Sequence, residues 1–131
     1  MEYSIGETAK KSGITASTIR FYEKEGLLPS IKRNKNGIRY FTEDDLQSLR
    51  IIECLKATGM PIKDIRKFID LCAERDSSLQ ERYELFLDRK SAVQKQIQEL
   101  QNVEKVIDFK CWYYQTAIEA GTEKIHAVKN I

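Results

Sequence analysis

Residues 4–28 have the sequence SIGETAKKSGITASTIRFYEKEGLL, and this stretch predicts two short helices joined by a tight turn. Ser4 and Glu7 have the spacing of a capping box, in which each side chain satisfies a free backbone N–H at the start of a helix. Gly13 is typical of a helix C-terminus, because glycine adopts the left-handed conformation there without a steric penalty. The first helix is therefore expected to begin at the capping box and to end at Gly13.

The second helix of this stretch is predicted from Ala16 to Glu25. Thr15 offers its N-cap, since a threonine hydroxyl can accept a hydrogen bond from the first turn. Gly26 is expected to end it. Two short helices separated by about three residues that include a glycine are typical of a helix-turn-helix.

The next stretch, residues 31–41, has the sequence IKRNKNGIRYF and predicts a basic β-hairpin. Asn36 and Gly37 form the turn signal, because both tolerate positive φ. Four basic residues flank the turn: Lys32, Arg33, Lys35 and Arg39. A basic hairpin that follows a helix-turn-helix is interpreted as a wing.

Two more helices are predicted after the hairpin. The third is capped by residues 42–45 and extends to about Thr58, before Gly59. The fourth has Pro61 at its first position, where the missing N–H of proline costs nothing. Their apolar faces comprise Leu46, Leu49, Ile52 and Leu55 on the third helix, and Ile62, Ile65, Phe68, Ile69 and Cys72 on the fourth.

A long helix is predicted from about Ser78 to Gly121, because no glycine or proline interrupts this stretch. Its apolar residues follow the alternating four-and-three spacing of a coiled coil over about five heptads. The expected interface residues are Tyr83, Phe86, Lys90, Val93, Ile97, Leu100, Glu104 and Ile107, with Lys90 and Glu104 as the polar exceptions. Since a 70-residue domain cannot cover such a stripe, a second copy of the chain is the expected partner.

The charge distribution favours a polyanionic partner at the N-terminus. The 131 residues carry a net charge of +2, but residues 1–41 hold eight Lys or Arg against four Asp or Glu. A polyanion such as DNA would meet this part of the chain.

Other features disfavour an enzyme or a membrane protein. A single histidine, His126, is interpreted as a surface residue of the tail, and there is no HExxH, CxxC or glycine-rich phosphate loop. No leader-like segment and no stretch of about 18 apolar residues occurs, so a cytoplasmic location is expected. After an enzyme, a coiled-coil adaptor is the second alternative to a DNA-binding protein, although an adaptor needs no basic wing.

Four segments in order resemble the MerR family of regulators: YSIGETA (3–9), TIRFYEKEGLL (18–28), GIRYF (37–41) and LKATGMPI (55–62). The resemblance covers residues 3 to about 73. It implies a mainly α fold, with a winged helix-turn-helix DNA-binding domain (1–75), a long antiparallel coiled-coil dimerisation helix (76–117) and a short tail (118–131). It also implies a homodimer that binds double-stranded promoter DNA and distorts it, so that RNA polymerase engages both promoter elements.

The expected DNA contacts lie on the second helix and the wing. The start of the second helix should face base edges, where Arg20 could bind either guanine or phosphate. Tyr22 matches a family tyrosine that holds phosphate, whereas Phe21 lacks the hydroxyl and is expected to pack. The predicted DNA-binding residues are Thr15, Ser17, Thr18, Arg20, Tyr22, Arg39, Tyr40 and Lys56. Thr15 is equally a helix cap, and Lys32, Arg33, Lys35 and Lys56 are equally solvated surface charges.

The signal that the protein senses has two open interpretations. Cys54 lies in a segment that resembles the aldehyde- and nitrosative-stress-responsive branch, so it is either a reactive thiol or a small buried hydrophobe. Cys72 and Cys111 are expected to be core residues. No cofactor or metal is expected, because the paired cysteines of metal-sensing relatives are missing. The aromatic cluster Phe109, Trp112, Tyr113 and Tyr114 is either a contact to the partner's DNA domain or the wall of a ligand pocket.

Overall fold

The computed structural model describes residues 1–126 and divides the chain into two compact units. The first unit comprises Met1–Arg89, and the second begins at Lys90. The helices span Ile5–Ser12 (α1), Ala16–Lys24 (α2), Glu43–Ala57 (α3), Ile62–Ala73 (α4) and Leu79–Ala120 (α5). The predicted mainly α fold, with a helix-turn-helix, a wing and a long C-terminal helix, is confirmed. The predicted tail lies partly outside the described residues.

Both predicted N-caps of the helix-turn-helix are present. Ser4 Oγ accepts a hydrogen bond from the Glu7 N–H at 3.0 Å, and Glu7 Oε1 accepts one from the Ser4 N–H at 2.9 Å. Thr15 Oγ1 accepts from the Thr18 N–H at 3.2 Å. α2 ends at Lys24, one residue earlier than predicted.

The wing consists of two short antiparallel strands, Lys32–Arg33 (β1) and Arg39–Tyr40 (β2). Its base joins the N-terminus through a bridge between Tyr3 and Phe41, whose backbone N–H groups each donate to the other's carbonyl, at 2.7 and 2.8 Å. Phe41 is fully buried and Tyr3 nearly so. The hairpin is thereby attached to the core at its base.

The turn of the wing differs from the prediction. Gly37 has a φ of 78°, but Asn36 does not adopt positive φ. The side chain of Asn34 organises the loop instead, because its Oδ1 accepts from the N–H groups of Asn36 and Ile38 at 2.9 and 3.0 Å. An Asx turn therefore replaces the two-residue turn that the Asn-Gly pair suggested.

The core of the first unit lies among α1 to α4, where α1 packs against α2 and α3, and α3 packs against α4. The fully buried side chains include Ile19, Tyr22, Leu27, Leu49, Ile52, Leu55 and Ile65. Leu46 and Ile62 are only half-buried at its margin. Pro61 is the N-cap of α4 and not its first helical residue, a difference of one position.

α5 begins after a 3₁₀ turn, Arg75–Ser78, and spans 42 residues. Its first three turns belong to the first unit, since Leu85 and Phe86 pack against that core. The Phe86 ring lies 5.4 Å from the Phe68 ring in an edge-on arrangement. Phe86, which the heptad pattern predicts in a dimer interface, thus packs against the core of its own protomer.

The second unit contains the rest of α5 and a short return. Gly121, with a φ of 75°, ends the helix, and a 3₁₀ turn follows at Glu123–Ile125. The His126 ring stacks on Tyr113 at 4.1 Å, and its Nε2 lies 3.0 Å from Thr116 Oγ1. His126 is half-buried, so its interpretation as a plain surface residue is wrong.

No helix within residues 1–126 has the length and apolar character that a membrane crossing needs.

The turn after α2 predicts a specific stability effect. Gly26 has a φ of 79°, and a Cβ there would lie 2.7 Å from the Arg66 guanidinium carbon, while Arg66 Nη1 donates to the Glu25 carbonyl at 3.2 Å. Gly26→Ala should lower the free energy of unfolding by about 1–2 kcal/mol, because alanine is strained at positive φ. Urea denaturation measures the change. Gly6→Ala is the control, since its Cβ meets only Ser4 Oγ at 3.8 Å; equal effects of the two variants would refute the explanation.

Candidate nucleic-acid interface

One face of α2 is exposed along its whole length. Ser17, Arg20, Phe21 and Lys24 recur at intervals of three, one and three residues and are all exposed. The opposite face, which carries Ile19 and Tyr22, is fully buried. A helix anchored on one side and exposed on the other can enter a major groove, which is wide enough for an α-helix.

Arg20 is available for an external ligand. Its side chain is exposed, and it makes no hydrogen bond or ion pair with any residue of the described range 1–126. Its planar guanidinium matches guanine or phosphate geometrically. The N–H donors of the Arg20 side chain are therefore unoccupied on this face, and a DNA contact by Arg20 stays a prediction.

The aromatic pair on α2 is arranged in the opposite way to the prediction. Phe21, expected to pack, is 45% exposed beside Arg20, whereas Tyr22 is fully buried. A phenyl ring on an exposed helix face can contact the methyl group of thymine. An adjacent residue on a helix lies about 100° away, so one of the pair faces outward when the other is buried.

The Tyr22 hydroxyl joins α2 to α3. It accepts a hydrogen bond from Lys56 Nζ at 2.9 Å and donates one to Glu53 Oε2 at 3.1 Å. The hydrogen bond that Lys56 donates to Tyr22 raises the pKa of Lys56, and burial raises the pKa of Tyr22 itself. The arrangement gives Tyr22 a positioning role, since it holds the charged Lys56 at the surface, and the phosphate contact expected for Tyr22 stays a prediction.

Thr15 caps α2, which is one of the two roles predicted for it. Besides accepting from Thr18 N–H, its hydroxyl donates to Thr18 Oγ1 at 2.9 Å and lies 3.2 Å from Ser17 Oγ. The three hydroxyls form one exposed cluster at the start of α2. A base contact from any of them stays a prediction.

The wing residues lie close to α2. Arg39 Nε donates to Glu23 Oε1 at 2.5 Å, and Arg33 Nη2 lies 3.8 Å from Glu23 Oε2. Glu23 was not identified from the sequence, although it is the one acidic residue within α2 and follows Arg20 by three positions. Lys32 and Lys35 are exposed, and Tyr40 is half-buried on β2.

The three cysteines differ in exposure. Cys54 and Cys111 are exposed free thiols, and Cys72 is half-buried, so the prediction of Cys111 as a core residue is wrong. Burial raises the pKa of the Cys72 thiol. The interpretation of Cys54 as a buried hydrophobe is therefore wrong. Within residues 1–126, no group of three or more His, Cys, Asp or Glu side chains is placed to hold a metal ion.

The helix stripe on α5 is largely uncovered. Tyr83, Ile97, Leu100 and Ile107 are between 50% and 69% exposed, and Val93 is half-buried. The polar members Lys90 and Glu104 are also exposed.

The aromatic residues near the end of α5 form a cluster, in which Trp112 and Tyr113 contact the chain's own His126.

Comparison with known proteins identifies the family. Residues 3–72 match the model of the MerR HTH family regulatory protein, and residues 46–108 match the model described as MerR, DNA binding. The chain belongs to the MerR family. The first match alone covers more than half of the sequence.

Several MerR proteins are similar over most of the chain. An uncharacterized HTH-type transcriptional regulator of Haemophilus influenzae is 42% identical over 95% of this chain and 92% of its own. The crystal structure of HiNmlR, a MerR family regulator lacking the sensor domain, bound to promoter DNA, is 41% identical, with a TM-score of 0.87 over 96% of this chain and 100% of that one. A putative MerR regulator from Listeria monocytogenes is 31% identical, with a TM-score of 0.83 over 94% and 93%.

The link between α2 and α3 in this MerR protein predicts the effect of removing one hydroxyl. Tyr22→Phe should lower the free energy of unfolding by about 0.5–1.5 kcal/mol, because two hydrogen bonds are lost. It should also lower the pKa of Lys56 toward its ordinary value, as measured by NMR titration of the Lys56 ammonium. Tyr83→Phe removes an exposed hydroxyl and serves as the control. An unchanged pKa of Lys56 in Tyr22→Phe would contradict the positioning role.

Proposed function

We propose that the protein is a transcriptional regulator that binds double-stranded promoter DNA as a homodimer, distorts it and thereby controls transcription initiation. The observation that carries the proposal is the exposed face of α2, with an unpaired Arg20, beside a basic wing. A MerR regulator that is similar along nearly the whole chain has been solved bound to promoter DNA. RNA polymerase would be an indirect partner at the promoter, in the cytoplasm.

The basic side chains have distinct roles in this proposal. Arg20 would bind a base edge or a phosphate, since its guanidinium is unoccupied. Arg39 uses Nε for Glu23, so its terminal nitrogens stay available for the DNA backbone. Lys56, held by Tyr22, and Tyr40 on the wing would add phosphate contacts. Base contacts would choose the sequence, while phosphate contacts and DNA bending would set affinity and register.

Salt-dependent DNA binding tests this proposal. On the DNA fragment upstream of its own gene, the wild-type protein should give a footprint, and its log affinity should fall linearly with log salt concentration. Arg20→Ala should weaken binding by about 5- to 150-fold, which corresponds to the 1–3 kcal/mol typical of an arginine contact to a base. Lys95→Ala, in the second unit, removes the same charge as the control.

The outcome also decides what Arg20 contacts. A loss confined to the specific fragment, with the salt slope unchanged, indicates a base contact, whereas an equal loss on unrelated DNA with a smaller slope indicates phosphate. Wild-type binding that is absent or independent of salt would refute the proposed function and favour a coiled-coil adaptor.

The homodimer is proposed from the uncovered stripe of α5. Ile97, Leu100 and Ile107 lie on one face and stay half or more exposed within the protomer. Apolar surface of this extent favours association, because each Å² removed from water contributes about 25 cal/mol. In an antiparallel pair with a centre between Ile97 and Leu100, Lys90 would approach Glu104 of the partner subunit.

A charge in the stripe should disrupt the dimer. Leu100 and Val106 are 69% and 65% exposed, but they lie about 120° apart around the helix. Leu100→Lys should shift the protein to monomer in sedimentation equilibrium, because a lysine would be buried without a partner. Val106→Lys should leave the dimer intact. A wild-type protein that is monomeric at micromolar concentration would refute this part of the proposal.

A thiol-dependent response is the second candidate, and one observation favours it. The Cys54 thiol is exposed on α3, two residues before Lys56 on the helix that carries the Tyr22 contact. An exposed thiol can be reached by small electrophiles. We propose that modification of Cys54 alters DNA binding or promoter distortion; a regulator that uses another small ligand, or none, is the alternative.

Exposure to an α,β-unsaturated aldehyde separates these alternatives. The expected product is a thioether between Cys54 Sγ and the β-carbon, in which the carbon–carbon double bond is lost and the thiol proton is transferred to the α-carbon. It is detected as an increase in the mass of the Cys54 peptide by that of the whole aldehyde. Transcription from the regulated promoter should lose its response to the aldehyde in Cys54→Ser and keep it in Cys111→Ser, which removes the other exposed thiol. An unchanged response in Cys54→Ser would refute the thiol mechanism.

A further inference from the structure

Glu23 is an unexpected residue in a surface that would face DNA. It is the one acidic residue of α2 and lies among Arg20, Lys24 and the basic wing. A carboxylate near phosphates repels them, and at a Debye length of about 8 Å that repulsion is only partly screened. A carboxylate at this position is therefore expected to have a role within the protein that compensates for the repulsion of phosphates.

The contacts of Glu23 join two structural elements. Its Oε1 accepts a hydrogen bond from Arg39 Nε at 2.5 Å, and its Oε2 lies 3.8 Å from Arg33 Nη2. The side chains of Glu23 and Arg39 are 22% and 29% exposed. One carboxylate on α2 thus contacts both strands of the wing.

The two arginines need a counter-charge. Arg33 and Arg39 are directly opposite each other in the register of β1 and β2. Like charges in directly opposed positions destabilise a strand pair. Glu23 lies next to both and neutralises part of this repulsion, while Arg33 Nη1 also donates to the Gly37 carbonyl at 3.0 Å.

The wing has little other support. It is a two-stranded hairpin with two residues in each strand, and such hairpins are marginal by themselves. Its base is attached through the bridge between Tyr3 and Phe41. Glu23 contacts it farther along, at the positions whose arginines would meet the DNA backbone.

We propose that Glu23 is a positioning residue for DNA binding: it orients Arg39 and holds the wing against α2, so that the two elements bind the duplex as one rigid surface. The inference rests on the proposed function. A fixed arginine binds phosphate more favourably than a mobile one, because less side-chain freedom is lost on binding. Glu23 would therefore strengthen DNA binding in spite of its negative charge.

Removal of the Glu23 carboxylate should change the DNA affinity in the direction opposite to the one that simple electrostatics predicts. Glu23→Ala deletes a negative charge near DNA, which by itself would tighten binding. The positioning role predicts instead a loss of about tenfold, with the slope of log affinity against log salt reduced by about one as the Arg39 contact is lost. Glu25→Ala removes a neighbouring carboxylate that makes no ion pair within residues 1–126, and it should bind as well as the wild type or more tightly.

A double-mutant cycle identifies the partner. In an Arg39→Ala background, Glu23→Ala should cause little further loss, because Glu23 acts through Arg39. Affinities are measured by fluorescence anisotropy on the upstream fragment, and thermal unfolding followed by circular dichroism reports whether each variant is folded. If Glu23→Ala is unfolded at the assay temperature, Glu23→Gln replaces it, with the same expectations.

Each outcome decides between the two proposals. Salt-dependent binding by the wild type, a tenfold loss in the folded Glu23 variant and non-additivity with Arg39→Ala support the inference. Binding by the Glu23 variant that equals or exceeds that of the wild type, or a loss fully additive with Arg39→Ala, overturns it while leaving the proposed function intact. Failure of the wild type to bind DNA overturns the proposed function itself.

Discussion

The burial of Tyr22 is the constraint on which the candidate DNA-binding surface depends. Its ring is fully buried, and its hydroxyl is held between Lys56 and Glu53 on α3. A buried ring with two satisfied hydrogen bonds leaves α2 a single rotation about its axis. The exposed face with Arg20 and Phe21 follows directly from that rotation, since successive helical residues are offset by about 100°.

The acidic residues Glu53 and Glu23 in this surface hold basic side chains in place. Glu53 contacts Tyr22 and Lys56, and Glu23 contacts the two arginines of the wing. The carboxylates thereby lower the number of orientations open to long, flexible cations. Arg20 is different, because it makes no ion pair within residues 1–126 and keeps its full hydrogen-bonding capacity for a ligand.

The long helix α5 has two kinds of surface, one covered within the protomer and one exposed. Near its start, Phe86 packs edge-on against Phe68 in the first unit. Near its end, Tyr113 stacks on His126 of the return. The stripe that contains Ile97 and Leu100 has no such cover within the described protomer. The regular heptad pattern therefore includes both residues that pack within the protomer and residues that stay exposed in it.

The sequence by itself determined the order of the helices, their ends to within about one residue, the presence of a wing and the uninterrupted length of α5. These features depend on interactions within a few residues: the capping box of Ser4 and Glu7, the threonine cap at Thr15 and the helix-ending glycines. The family resemblance added the DNA-binding class. The prediction for the turn of the wing was only partly correct, because hydrogen bonds to the Asn34 side chain set the loop conformation in place of a two-residue Asn-Gly turn.

The tertiary structure alone decided which side chains are available. Tyr22 and Glu53 are 31 residues apart, and Glu23 and Arg39 are 16 apart, so no local pattern pairs them. The exposure of Cys54, the burial of Tyr22 and the inward packing of Phe86 likewise depend on how one helix rotates against another. That rotation is set by the shape of the whole core, because close-packed side chains permit few alternative arrangements.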